Sequence, residues 1–306
     1  MDDGPPSTIC TPVPSDAPAL AVLASGSSGN CTALVYESCG RRRITLIDAG
    51  ISPRRTEGML ESIGLSIADV DSIVLTHLDQ DHYHSGWATG LPGSARVRVH
   101  KRHVHRGRRE NRLPDAHETF EDTFELCPGA QARVCMASHD DLGVASFRFE
   151  FAAFGACLGF ATDLGRVTQP ILDHLRNVDV LAIESNYCPR LQQSSMRPQF
   201  LKRRIMGGSG HLSNEQTLRA IEEIGPRSHV VFLHLSRECN RPEIITELHA
   251  GADYAFTIAA PDTPTRWVRI RPPVGVPPLV RTMAQLPLFH SPVAPAAAPG
   301  AGLPLG

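Results

Sequence analysis

The chain has 306 residues, 42% hydrophobic and 20% charged, with a formal net charge of −2. That length suits one large domain or two small ones, and the near-neutral balance excludes nucleic-acid binding through blanket charge while leaving local patches open. No apolar run approaches the ~20 residues of a membrane-spanning helix, so a soluble protein without a membrane partner is expected.

The opening "MDDGPPSTICTPVPSD" is acidic and proline-rich and lacks the apolar core of a signal peptide, so a cytoplasmic location is expected. Residues 1–18 hold five prolines and no hydrophobic period, which predicts a disordered extension. The eight cysteines are scattered without a C-x-x-C pair, a pattern of reduced thiols rather than of a disulfide framework. From Ala19, short apolar runs alternate with helical patterns. "ALAVLAS", "RITLIDAG", "SIVLTH", "ASFRFEFAAFG", "LGFATD", "VLAIES" and "HVVFLHLS" read as strands. "RRTEGMLESIG" and "NEQTLRAIEEIG" read as helices closed by glycine, the second opened by a Ser213/Gln216 capping box. This order predicts one layered α/β domain over residues 19–270, with polar chemistry at strand ends. Residues 271–306 form a Pro/Ala/Gly-rich tail.

"SIVLTHLDQDHYHSG" (72–86) runs from a buried-strand pattern straight into His77, Asp79, Asp81, His82 and His84. A lone Asp-His pair usually means a solvated loop; five metal-capable side chains in eight residues are a rarer arrangement. His139, Asp163 and His234 each follow a predicted strand in the same way. Leaving aside His84, which has no evident role, these supply four imidazoles and three carboxylates, an inventory for two divalent ions with Asp163 bridging. Two ions about 3.5–4 Å apart can share a hydroxide nucleophile and clamp both oxygens of a hydrolysis. A separate basic run, residues 96–112, carries seven arginines, Lys101 and three histidines against Glu110. It reads either as solvated surface or as a track for a polyanionic backbone.

His77-Leu-Asp79-Gln-Asp81-His82 resembles the H-x-H-x-D-H signature of the metallo-β-lactamase superfamily. "LASGSSGN", "LIDAG", "SHDD", "ATDLG", "ESNY", "LKRRIMGGSGHLSN" and "HLSRECNRPE" extend the likeness to the WalJ (YycJ) group of that superfamily, related to RNase Z and RNase J. The resemblance implies an αββα sandwich and a nuclease acting from DNA 5′ ends, in repair or processing. It assigns one ion to His77, Asp79 and His139, the other to Asp81, His82 and His234, and Asp163 to both. Asp79 departs from the signature, where histidine is expected. A hard oxygen there shifts preference from zinc toward manganese above all, or iron or magnesium. It also polarises the water less than the best zinc sites do. By the same resemblance Asp81 is catalytic as well as a ligand, and Glu184 and His211 form the pair that protonates the leaving oxygen. Ser25, Ser27, Ser28 and Asn30 of "SGSSGN", the helix start at Ser213, and the cations Lys202, Arg203 and Arg204 are expected at DNA phosphates.

Two other classes compete: a small-molecule ester, lactone or thioester hydrolase, and a non-catalytic DNA-binding module in which Asp79 weakens the metal. In the tail, "AQLPLFHSP" presents Gln285, Leu286, Leu288 and Phe289. These resemble the Q-L-x-L-F peptide that docks on bacterial sliding clamps, an extended segment with two apolar anchors. The alternative is that they pack back on the domain, where Pro287 permits only an edge strand.

Overall fold

The computed structural model describes residues 12–275, apart from Ser94, Asp140 and Ser209. Gln285, Leu286, Leu288 and Phe289 therefore lie outside the described residues. The first sheet contains β1 (Ala19–Ala24), β2 (Cys31–Ser38), β3 (Arg41–Ile47), β4 (Ser72–Val74), β5 (Arg96–His100) and β6 (Glu118–Phe120). The second contains β7 (Thr123–Cys127), β8 (Ala130–Ala137), β9 (Val144–Phe151), β10 (Ala156–Ala161), β11 (Val180–Glu184), β12 (His229–Leu233) and β13 (Ala255–Ile258). A last short strand, β14 (Val268–Arg269), returns to the first sheet and pairs antiparallel with β1. The orders are β14-β1-β2-β3-β4-β5-β6 and β13-β12-β11-β10-β9-β8-β7. Within them β3 to β6 run parallel, as do β10 to β13.

The two sheets are packed face to face. Leu20, Val22, Leu34, Ile47 and Val74 of the first meet Phe147, Phe149, Leu158, Val180 and Val231 of the second in one buried cluster. The alternate residues Ala19, Ala21, Leu23, Ala33 and Val35 point the other way, as a period of two requires. There they pack beneath Leu60 of α1 (Pro53–Ser62) and Val104 of α2 (Lys101–Arg109). On the far side of the second sheet lie α3 (Gln169–Leu175), α6 (Asn214–Ile224) and α7 (Pro242–Leu248). Between them in sequence come α4 (Pro189–Ser194) and α5 (Gln199–Met206), which build one wall of the site described below. The architecture is the expected αββα sandwich. Coverage on both faces explains why β1 is buried at every position and reads as a continuous apolar run.

Local signals set the helix ends. Ser52 caps α1 by accepting from Arg55 N, with Pro53 at the first helical position. The capping box at Ser213 forms with Gln216, and Gly225 closes α6 at φ 64°, a left-handed value that glycine adopts without a Cβ clash. The structure also gives form to the basic run and corrects one expectation at the N-terminal side. The basic run is part strand (β5) and part helix (α2), because Val97 and Val99 bury in the sheet while His103 and Gly107 recur at helical spacing. The expected disorder is not found over the described residues 12–18: Val13 packs on the outer core, Ala17 is buried and Asp16 pairs with Arg269. Among the described residues no helix is long and apolar enough to cross a membrane.

Candidate active site

The parallel strands end along one edge, and the polar side chains follow them there. Asp48 comes after β3, the 76–84 loop after β4, Asp163 after β10 and His234 after β12, while Glu184 closes β11. This is the edge at which α/β sheets bind ligands. Asp48, Asp163 and His234 have φ values of 59°, 54° and 54°. A non-glycine residue held there costs about 1–3 kcal/mol, a strain that re-aims each side chain away from its strand. Gly50 lets two loops touch: a Cβ there would lie 1.8 Å from the Asp81 carbonyl oxygen.

Donor atoms of His77, Asp79 and His139 lie within 4.8 Å of one another, as do those of Asp81, His82 and His234. Asp163 joins both sets, in groups with His77 and His82 and with Glu184, His211 and His234. Its Oδ2 is 2.7 Å from His82 Nε2 and its Oδ1 is 3.1 Å from His211 Nδ1. The imidazoles of His77, His82, His234, His211 and His139 follow one another at centroid separations of 4.1, 5.7, 5.0 and 5.6 Å. Four of these rings and three carboxylates line a cleft of about 340 Å³, with the buried His82 behind Asp163.

Partners behind these groups fix their orientation. His82 Nδ1 sits 2.7 Å from Asp48 Oδ2, which leaves Nε2 directed at Asp163. The Thr76 hydroxyl donates to Asp48 and lies 2.9 Å from His77 Nδ1, so it accepts from that nitrogen and His77 Nε2 also faces inward. His139 Nδ1 donates to the Gly210 carbonyl at 3.3 Å. His234 Nε2 is buried with no hydrogen-bond partner, 3.5 Å from Asp81 Oδ2. Clustered imidazole nitrogens and carboxylates, each imidazole oriented from behind and one nitrogen orphaned, are the donor set of divalent-metal sites, so the residues fit two such ions.

The charges conform to this. Burial pushes His82 down, but Asp163 and Asp48 outweigh it and hold the imidazole well above its ordinary value. Burial, then His82, drives His77 well below. Burial would raise Asp163, yet His234, His82 and His211 hold it well below the usual carboxylate range. His211 is opposed by burial, but its bonds to Asp163 and Glu184 raise it to about 10. Glu184 is fully buried and anchored by the Leu212 amide, and its Oε2 is 3.1 Å from His211 Nδ1.

The other expected residues divide. Ser27 and Arg204 line the cleft, whereas Ser28 accepts from Arg237 at 3.1 Å outside it. Ser25 accepts from the His234 amide, Asn30 grips the Asp81 carbonyl, and Ser213 is committed to its capping box. These three brace the site rather than offering free donors to phosphate. Lys202 is buried with its Nζ 2.6 Å from the Gln193 carbonyl, and Arg203 faces away, because only positions 201, 204 and 205 of α5 fall on the cleft side. His84 caps a short turn by accepting from Gly86 N.

Sequence reasoning missed Asp48, Thr76 and Arg106. Arg106 Nη1 lies 2.9 Å from Asp79 Oδ1 and so engages the residue that breaks the signature. Arg112 donates to the Leu78 and Tyr83 carbonyls of the same loop. Much of the basic run is thus spent on internal partners, since Arg96 and Arg98 pair with Glu118 and Lys101 with Glu121. "LIDAG" held the available clue, a carboxylate ending an apolar strand.

Fold and site together define a metallo-β-lactamase-fold hydrolase, and the chain belongs to the β-lactamase superfamily, whose domain model matches residues 42–235. It is 27% identical to exodeoxyribonuclease WalJ of Streptococcus pneumoniae over 80% of this chain and 95% of that protein. Among solved structures, the metallo-β-lactamase-fold protein YhfI of Bacillus subtilis superposes with a TM-score of 0.59 at 12% identity, covering 82% of this chain and all of the other. The short form of human tRNase Z gives 0.54 at 13% identity, over 81% of this chain and 98% of that one.

Proposed function

We infer that the protein is a metal-dependent phosphodiesterase that removes nucleotides from DNA 5′ ends, working in the cytoplasm in repair or processing. The observation that carries this reading is the buried Glu184 holding His211 beside the paired donor sets. Metal ligands of this kind serve many hydrolyses, but an alkoxide leaving group needs a proton, and a carboxylate-braced imidazole is suited to give it. The name of the pneumococcal relative points to DNA.

On this reading His77, Asp79 and His139 hold one divalent ion, Asp81, His82 and His234 the other, and Asp163 serves both. Such ions supply Lewis acidity to water and to the phosphate oxygens. Arg106 occupies one oxygen of Asp79 and leaves Oδ2 facing His77 and His139, so the site keeps a hard donor with part of its charge offset. Manganese is therefore the preferred ion. His211 keeps Nδ1 on Glu184 and offers Nε2 to the departing 3′-oxygen. Arg204 and Ser27 bind the flanking phosphates.

Metal-stripped protein should be inert on end-labelled duplex DNA, and manganese should restore stepwise release of nucleotides from the 5′ end more strongly than zinc. Hydrolysis of small esters or thioesters with no release from DNA would replace this reading with the small-molecule one. Binding of DNA without cleavage under any metal would leave only a binding module.

The tail is part of the proposal. A peptide of residues 281–293 should bind a bacterial sliding clamp saturably, raising the enzyme's effective concentration at DNA. Alanine at Gln285, Leu288 and Phe289 should abolish that binding; unchanged binding would remove the clamp.

A further inference from the structure

Between Glu184 and Glu215 the chain has no carboxylate, but it carries Arg190, Arg197, Lys202, Arg203 and Arg204. Those residues form α4, α5 and their connection, the wall that contributes Arg197, Leu201, Arg204 and Ile205 to the cleft beside His211. Lys202 and Arg197 are partly spent, on the Gln193 carbonyl and on Glu238. Arg203 and Arg204 are exposed and make no ion pair with any described residue.

The same wall displays its apolar side chains outward. Among the described residues three large hydrophobics are exposed: Met196 at 95%, Phe200 at 68%, and Val274 near the last described position. Two of the three thus flank Arg197 on one rim. Phe200 and Arg204 are four residues apart on α5, hence neighbours on its surface, and Arg204 lines the cleft. Phe200 is not part of the small core beneath α5, which uses Leu201, Ile205 and Met206 with Tyr187 and Cys239. The rim of the cleft therefore carries an exposed aromatic ring one helical turn from the unpaired guanidinium group of Arg204.

Phosphates account for the arginines, but not for the ring. A group that is both anionic along its backbone and flat and apolar at its sides is an unpaired nucleotide strand. Bases stack on aromatic side chains irrespective of sequence, and paired bases inside a duplex present no face to a protein surface. Resting on the phosphodiesterase reading above, we propose that Phe200, on the same rim as the exposed Met196, is a platform on which unpaired bases stack while Arg204 holds their phosphates. The substrate class is then single-stranded or end-frayed DNA.

The experiment compares the full chain with its Phe200→Ala and Phe200→Trp variants on a labelled single strand and on a blunt duplex of the same sequence. Phe200 is exposed, so these changes leave the core intact. For Phe200→Ala, KM on the single strand should rise roughly 5- to 100-fold, the range of a lost base–aromatic stack, with kcat little changed. Phe200→Trp should restore KM, and its added indole emission should be quenched saturably by a short oligothymidylate. A KM unchanged in Phe200→Ala, or an equal loss in kcat on both substrates, overturns the platform. If the parent chain cleaves no DNA, the phosphodiesterase reading fails instead. The quenching titration then decides separately: saturation upholds the platform, and no quenching removes it.

Discussion

His211→Ala should slow cleavage of DNA by about 10²–10⁴-fold, the scale of general acid catalysis. The same variant should lose little on a phosphodiester with a nitrophenolate leaving group, which departs without a proton. Comparison of kcat/KM on the two substrates separates proton donation from phosphate binding or support. Equal losses would mean that His211 only binds or braces. The sign of the pH dependence follows from its environment. With a pKa raised to about 10, His211 carries its proton at neutral pH; cations held beside Asp163, on the proposed assignment, would bring that value down. Activity on DNA should fall as pH rises through the imidazole's pKa in the loaded enzyme, and His211→Ala should lack that alkaline limb.

Asp81→Ala should abolish DNA hydrolysis and reduce the bound metal measured by elemental analysis of dialysed protein. Asp81 faces both His82 and His234, at 3.7 and 3.5 Å, so its removal opens one donor set directly. Asp48→Ala leaves every candidate ligand in place but removes the partner behind His82 and behind the Thr76 hydroxyl that orients His77, and should cost about 10–100-fold in activity or metal affinity, as the loss of an orienting partner does. Asp79→His should retain hydrolysis and move the preference toward zinc, while depriving Arg106 of its carboxylate partner. Adding Arg106→Gln should therefore be milder in the Asp79→His background than in the parent. Full activity and metal content in Asp81→Ala would refute the two-ion assignment.

The contrast between these residues shows what a sequence can disclose. The candidate ligands at 77–82 were legible because they crowd together after a strand, where a buried apolar run has no other use for them. Asp48 was not, since one carboxylate at a strand end is ordinary until the fold sets His82 behind it, 34 residues along the chain. Arg106 was hidden by its surroundings: in a run of like charges nothing marks the member that turns inward to Asp79. Lys202 failed for the opposite reason. It shares a basic cluster with Arg204, yet helical phase turns the two apart, and the boundaries of α5 were needed to see it. Among strands, those with a strong apolar run were readable, whereas β6 and β7 sit at sheet ends with mixed burial and gave little pattern.

The pairing of β14 with β1 has one more consequence. β1 runs toward the cleft and delivers Ser25 to His234, whereas β14 runs antiparallel to it, with Arg269 opposite Ala19 at the strand's far end. The chain thus leaves the domain at the pole opposite the reaction, roughly 20 Å away at about 3.3 Å per strand residue. The ten residues from Gly275 to Gln285 span at most about 35 Å at full extension, so on the proposed clamp reading the anchor would be held within that distance of the pole opposite the cleft.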